Sequence, residues 1–240
     1  MSLPPITIVM TTYFPPGEIG ARRAAAAKDT IETWRDHLRY GAEIQLHIAD
    51  DGSAPEYQRA VIDRAQYLFT TITTSRQERH GVGASLNAGC RKAFEESPDG
   101  LVLYAVDDWT LTAPFDLTLW AEMIGPAGLG CLRLGPPHPH LTGRIQHWDE
   151  GEGGNPGLWY LVLERHHFAF GHRPALYHRR LFEHYGWFTE DVNAYECERL
   201  YAVKINNTLG PGIGLALHHP WIPIAEEPEL ELAGIDPRDG

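Results

Sequence analysis

At 240 residues and 43% hydrophobic content, the chain is long enough for one generous α/β domain and too apolar for a disordered or fibrous protein. Its 20 Lys and Arg stand against 32 Asp and Glu, a formal charge of −12; such a surface repels phosphodiester backbones and anionic lipid, so general nucleic-acid binding is excluded as an expectation. The cysteines, Cys90, Cys131 and Cys197, are widely spaced and form no C-x-x-C pair, which points to a reducing compartment with no structural disulfide and no cysteine zinc site.

The start, Met1 to Ile6, lacks the charged and apolar regions of a signal peptide. No window approaches the roughly 18 apolar residues of a membrane span, so the expectation is a cytoplasmic protein. Ile6–Met10 reads as a buried strand ending in the turn-like Thr11–Gly17. From Gly20, the positions Ala24, Ala27, Ile31, Trp34 and Leu38 recur at helical spacing and predict a helix of about five turns. Ile44–Ala49 reads as the second strand, stopped by Asp50-Asp51-Gly52-Ser53, and Ser53 with Glu56 forms a capping-box pattern for the next helix. Phe69–Thr73 is a third strand, Ala84–Glu96 a third helix and Leu101–Val106 a fourth strand.

Strands alternating with helices in this way imply parallel βαβ units, whose ligands bind at the carboxyl ends of the strands. Three of the four strands end in polar residues, Thr11 to Tyr13, Asp50-Asp51 and Asp107-Asp108, and these ends are expected to converge on one crevice. Beyond Pro114 the pattern predicts a helix over Phe115–Ile124, Gly- and Pro-rich turns, strands at Arg144–Trp148 and Leu158–Leu163, helices at Arg179–Tyr185 and Tyr195–Ile205, and a last strand at Ile213–Leu217. This continues the sheet with mixed pairing. The expectation is a single domain over 1–240, with a ligand-binding half at 1–114, a second half at 115–224 and an acidic tail at 225–240.

Adjacent carboxylates at Asp107 and Asp108 directly after an apolar strand suit Mg²⁺ or Mn²⁺ bridging a diphosphate, because such a cation takes few protein ligands and completes its shell from phosphate and water. A helix cap with a solvated neighbour is the plain structural alternative. Asp50-Asp51 repeats the device, so one pair can hold a base and ribose and the other the metal.

Four segments in order, Ile6–Tyr13, Ile48–Ser53, Gly81–Gly89 and Tyr104–Asp108 with Pro114 downstream, resemble the motifs of family 2 glycosyltransferases. The resemblance covers about residues 5 to 120. It implies an α/β GT-A fold, a Rossmann-like sandwich with a central mixed, mostly parallel sheet. The implied activity is inverting transfer of a hexosyl group from a nucleotide diphosphate sugar, a UDP-sugar being favoured, to an acceptor hydroxyl. It also implies donor contacts from Thr11, Tyr13, Asp50 or Asp51, and a DxD-type metal site at Asp107-Asp108, here closer to an Asp-Asp-Trp variant with Trp109. In that match Asp108 ligates Mn²⁺ or Mg²⁺ and Asp107 faces the ribose. Gly186–Glu190 looks like the family's Gly-x-Phe-x-Glu segment, and Tyr195–Glu198 sits where a Glu-Asp pair supplies the base. Cys197 takes the usual Asp position, so Glu196 is the first choice for base and Asp191 the reserve. Glu196 and Glu198 as helix-surface charges are the structural alternative. His218, with His219, resembles the histidine that completes the metal shell.

Arg76, Arg79 and His80 are further candidates for the diphosphate or base. Arg165 to His184 forms a basic island with Arg165, Arg173, Arg179 and Arg180, which raises an anionic acceptor such as a phospholipid, a sugar phosphate or a hydroxylated DNA base. Trp148, Trp159, Tyr160, Phe168 and Trp187 are candidates to stack on a sugar or base. The dense histidines of the second half lack any zinc-site spacing. A catalytically degenerate binding domain for nucleotide sugars or glycans is the alternative that Cys197 raises. An NAD-dependent oxidoreductase is the rival from Gly81-Val-Gly83 with Asp107 downstream, but Leu86 stands where the third glycine belongs. A sugar nucleotidylyltransferase would need a Gly-rich basic loop after the first strand, which Phe14–Gly17 is not.

Overall fold

A computed structural model describes residues 3–135, 143–148, 158–163, 171–217 and 221–223. In chain order the elements are β1 (Ile6–Thr12), α1 (Glu18–His37), β2 (Leu38–Arg39), β3 (Ile44–Asp50), α2 (Pro55–Leu68), β4 (Ile72–Arg76), α3 (Gly81–Glu96) and β5 (Leu101–Val106). They continue with β6 (Trp109–Leu111), β7 (Phe115–Asp116), α4 (Thr118–Ile124), β8 (Leu129–Arg133), β9 (Gly143–Trp148), β10 (Leu158–Leu163), β11 (Ala175–His178), α5 (Arg180–Tyr185), α6 (Ala194–Asn207), β12 (Gly212–Ala216) and β13 (Trp221–Pro223).

Nine strands form one sheet in the order β4-β3-β1-β5-β11-β8-β12-β10-β9. The first four are parallel. β11 then runs antiparallel to both β5 and β8, β12 lies parallel to β8, and β10 and β9 close the far edge as an antiparallel pair. The expected βαβ frame therefore holds for the first half, and mixed pairing for the second. Alternate residues of the central strands feed two cores, as the two-residue side-chain period requires. Ile8, Met10, Leu103 and Ala105 pack with Ala24, Trp34 and Val61 on one face, and Val9, Val102 and Tyr104 with Leu86, Cys90, Phe182 and Tyr201 on the other. All three cysteines are free and buried.

Several boundaries differ from expectation. The third strand falls at Ile72–Arg76 because Phe69 caps α2 in extended conformation with its N–H on Ala65. No capping box forms there. Ala54 is the cap residue, and the Ser53 hydroxyl instead accepts the Phe14 N–H at 2.8 Å. The helix expected over Phe115–Ile124 divides into β7, which pairs with β2, and α4. Among the described residues no helix is long and apolar enough to cross a membrane. The acidic stretch from Ala225 lies outside them.

Candidate functional site

The carboxyl ends of β1, β3 and β5 open on a cavity of about 720 Å³. Thr11, Tyr13, Asp51, Asp107 and Asp108 line it, as do Arg23, Arg79, His80, His172, Asp191 and Glu198. Asp50, Arg76 and Glu196 are not among its lining residues, and His218 lies outside the described residues.

Asp50 is fully buried and turned to its own loop. It accepts the Thr12 hydroxyl at 3.2 Å and the N–H groups of Gly52 and Ser53 at 3.1 to 3.3 Å, a turn that Gly52 completes at φ +89°. Arg76 lies 3.5 Å from Asp50 and donates to Gln58 and the Ser53 carbonyl. Both residues build the wall from behind. Asp51 faces the cavity and accepts the N–H groups of His80 and Gly81 at 2.9 and 3.1 Å, so it caps α3. That carboxylate occupies the helix start where a dinucleotide fold holds a pyrophosphate, which argues against the oxidoreductase alternative. Burial raises the Asp51 carboxyl above its usual range, opposed by those two N–H groups.

Asp107 is buried, and both its oxygens lie 3.3 Å from the Arg23 guanidinium of α1. Burial pushes its pKa up to about 6, with Arg23 pulling the other way. Asp108 is half-buried beside it on the cavity wall. The next residue is anchored from α1, where the Trp34 indole donates to the Trp109 carbonyl at 3.0 Å.

The rim joins the two halves of the chain. The Arg79 guanidinium lies over the Tyr13 ring, 4.6 Å from its centroid. His80 bonds through Nδ1 to Asp191 Oδ1 at 2.6 Å, and the Asp191 N–H donates to the His80 carbonyl at 2.9 Å. The hydrogen bond and charge of Asp191 raise the His80 pKa. Arg79 and Asp191, each at φ 60°, are the non-glycine residues in left-handed conformation among those described, and both stand on this rim.

Also lining the cavity, Glu198 of α6 accepts the His172 N–H, and burial raises its pKa. The same burial lowers His172 to about 4. Glu196 is turned outward, bonded to Arg199 at 2.7 Å, and that partner holds its carboxyl below the usual range. Cys197 is buried with its thiol raised to about 12. It sits against Gly83, where an added Cβ would lie 2.9 Å from Sγ and 2.3 Å from the Thr189 carbonyl oxygen. Asn87 of α3 donates to the Phe188 carbonyl and Glu190, tying the Gly186–Glu190 segment to the first half of the chain.

Glu198, Arg23 and His172 were missed as site residues. Helical period would have found two of them. Glu198 precedes the buried Ala202 by four residues and Ile205 by seven, and Arg23 stands four before Ala27 and eleven before Trp34. His172 follows no periodic element and carried no such signal. The basic island is divided: Arg173 acts electrostatically on Glu198, whereas Arg179 pairs with Glu183 and Arg180 donates to the Gly125 carbonyl, none of which lines the cavity. Arg165 lies outside the described residues.

No protein-family model matches the chain, and a search of curated proteins gave no match. Solved structures do match. S. aureus TarS 1-349 in complex with UDP-GlcNAc aligns at TM-score 0.63 and 14% identity over 96% of this chain and 61% of that one. TarS 1-349 in complex with UDP gives TM-score 0.61 and 13% identity, covering 90% of this chain and 59% of that one. The mannosyltransferase PcManGT from Pyrobaculum calidifontis, in complex with GDP-Man and Mn²⁺, gives 0.51 and 15% identity over 89% of this chain and 57% of its own. The chain spans about three-fifths of the length of these neighbours, and the likeness, with the mixed central sheet, shows its architecture to be the GT-A fold.

Proposed function

We propose that this chain is a glycosyltransferase that moves a sugar from a nucleotide diphosphate sugar, with UDP as the favoured nucleotide, to an acceptor hydroxyl with inversion. The observation that carries the reading is one cavity lined by both the Asp107-Asp108 strand end and Glu198. The neighbours whose structures hold UDP-GlcNAc, UDP and GDP-Man support a donor of this class.

The donor set suits a hard divalent cation. Among the described residues no group of three or more His, Cys, Asp and Glu surrounds a common point, and Mg²⁺ or Mn²⁺ in phosphate chemistry needs only one or two carboxylates. Asp108 is the ligand and Asp107, held by Arg23, supports it; His218 is retained as a second ligand on the sequence resemblance alone. When bound, the cation supplies charge neutralisation for the departing diphosphate.

Glu198 takes the proton from the acceptor oxygen as that oxygen attacks the anomeric carbon, and the bond from that carbon to the diphosphate oxygen breaks. A carboxyl raised by burial is better matched to proton abstraction near neutral pH than one held low by an arginine, which favours Glu198 over Glu196. Asp191, on the rim beside His80, is the second choice. Thr11, Tyr13 and Asp51 line the donor side, while Asp50 and Arg76 hold the loop that shapes it.

The test is thermal unfolding with UDP, GDP, dTDP and CDP sugars, with and without Mn²⁺, followed by product analysis for the nucleotide that binds. Selective binding to the native state raises the midpoint, and a Mn²⁺-dependent rise with a UDP-sugar is expected. Folded protein that responds to no nucleotide overturns the reading.

A further inference from the structure

The antiparallel half of the sheet shares a face with the β5 residues of the cavity. Tyr104 and Val106 of β5 line that cavity, and strand registers carry the Tyr104 row outward through Ala175, Arg133, Leu215 and Leu161 to Ile145. Residues paired across strands share a face, so the row stays on the side covered by α3 and α6. The next row toward the carboxyl end of β5 includes Leu217, whose N–H donates to the Trp159 carbonyl, and Trp159 is paired with His147. Along these rows exposure rises among the described residues. Leu215 is 1% exposed, whereas Leu217 is 41%, Trp159 49% and Ile145 64% exposed. The His147 ring lies 4.5 Å from that of Trp159. Trp159 is four strands from β5, a span of roughly 19 Å at the usual strand spacing.

We infer that this shelf is the outer part of the acceptor site and that the acceptor is an extended oligosaccharide. Its reactive hydroxyl reaches Glu198 while a sugar further along the chain lies on Trp159. The inference rests on the transferase reading above. A pyranose presents an apolar C–H face that packs on an aromatic ring, and its hydroxyls stay wet or bond polar neighbours, as the amphipathic Trp surface permits. A contiguous exposed apolar patch marks an interaction site. Continuity in face and level with the cavity assigns this one to the substrate, and the chain's charge of −12 disfavours an anionic membrane as its occupant. The distance selects a chain of sugars over a single one.

Wild type, Trp159→Ala and Ile145→Ser are to be compared on an array of α- and β-linked oligosaccharides from mono- to hexasaccharide, with calorimetry on the bound series and light scattering for mass. Wild type is expected to bind a series whose affinity rises with length. Each variant weakens the long members, Trp159→Ala by about tenfold, and leaves short members, Mn²⁺-dependent UDP binding and mass unchanged. Intact UDP binding with no length-dependent glycan binding, or with glycan binding indifferent to Trp159, overturns the shelf. A lower mass in Trp159→Ala also overturns it, by assigning the patch to self-association. Trp159-dependent glycan binding without any nucleotide binding overturns the transferase reading instead and leaves the shelf standing.

Discussion

The strand ends of β3 and β5 carry the same dipeptide and use it differently. In each, the first aspartate is buried and the second lines the cavity. Asp50 is surrounded by a hydroxyl and two backbone N–H groups, a set that holds a carboxylate as part of a turn. Asp107 faces one arginine at 3.3 Å in a buried setting that lifts its pKa to about 6. Matching sequence thus hides a stability device at one end and an electrostatically tense pair at the other. Helix α6 repeats the division, with Glu196 turned out to Arg199 and Glu198 turned in to the cavity.

The sharpest way to break this comparison is on α6. Glu198→Gln is expected to lower kcat by about 10³-fold while the nucleotide-induced rise in melting temperature is kept; unchanged turnover would remove Glu198 from the chemistry. Asp108→Asn should cost about 10²-fold in turnover and abolish the Mn²⁺ dependence of nucleotide binding, with normal circular dichroism. Asp50→Asn should act on the other quantity. Losing charge-assisted bonds in its loop should cost about 2 kcal/mol in a urea titration, and the folded variant should still bind nucleotide. A variant that keeps its stability and loses nucleotide would make Asp50 a donor contact after all.

Stability against pH sharpens the contrast between buried acids and bases. His47, bonded to Thr73 and Ser75, is lowered by burial from 6.5 to about 4. The unfolded chain therefore takes up the proton first. Stability from His47 is full above pH 6.5 and lost as pH falls toward 4, by on the order of 3 kcal/mol. Asp107 runs the opposite way: its folded pKa of about 6 lies above the ordinary 3.8, so its contribution falls as pH rises between those values. Chemical denaturation from pH 4 to 7 should show a shallower acid slope in His47→Asn and a steeper one in Asp107→Asn. The smallest effect is expected from Glu196→Gln, which should leave kcat within about twofold because its partner is an exposed arginine.

The frame of the first half was legible because its strands and helices have clean periods and polar ends. Ile6–Thr12, Ile44–Asp50 and Leu101–Val106 fall where apolar runs predicted them. The short strands were not: β8 is a five-residue strand carrying Gly130 and a buried Arg133, and β11 is four residues long, so neither offers a window in which alternation can be read. At the site, the types of residue were legible and their directions were not. Asp51, Asp107, Asp108, Thr11 and Tyr13 stand at the cavity as their strand ends implied. The choice of Glu196 leaned on motif position, whereas helical phase, visible in Cys197, Tyr201, Ala202 and Ile205, turns Glu198 rather than Glu196 toward the cavity.

The order of strands also sets an order of assembly. β4, β3, β1 and β5 find one another within residues 6–106, so the cavity wall made by β1, β3 and β5 has its pairing partners early in synthesis. β8 emerges soon after, yet its neighbours are β11 and β12, so one edge waits for Ala175–His178 and the other stays open until Gly212–Ala216 has left the ribosome. Non-local pairing of this kind is slow and leaves strand edges vulnerable. The part of the cavity carrying Glu198 is thus the last to be built, and truncation before β12 should yield a protein that aggregates through β8 rather than a stable folded fragment.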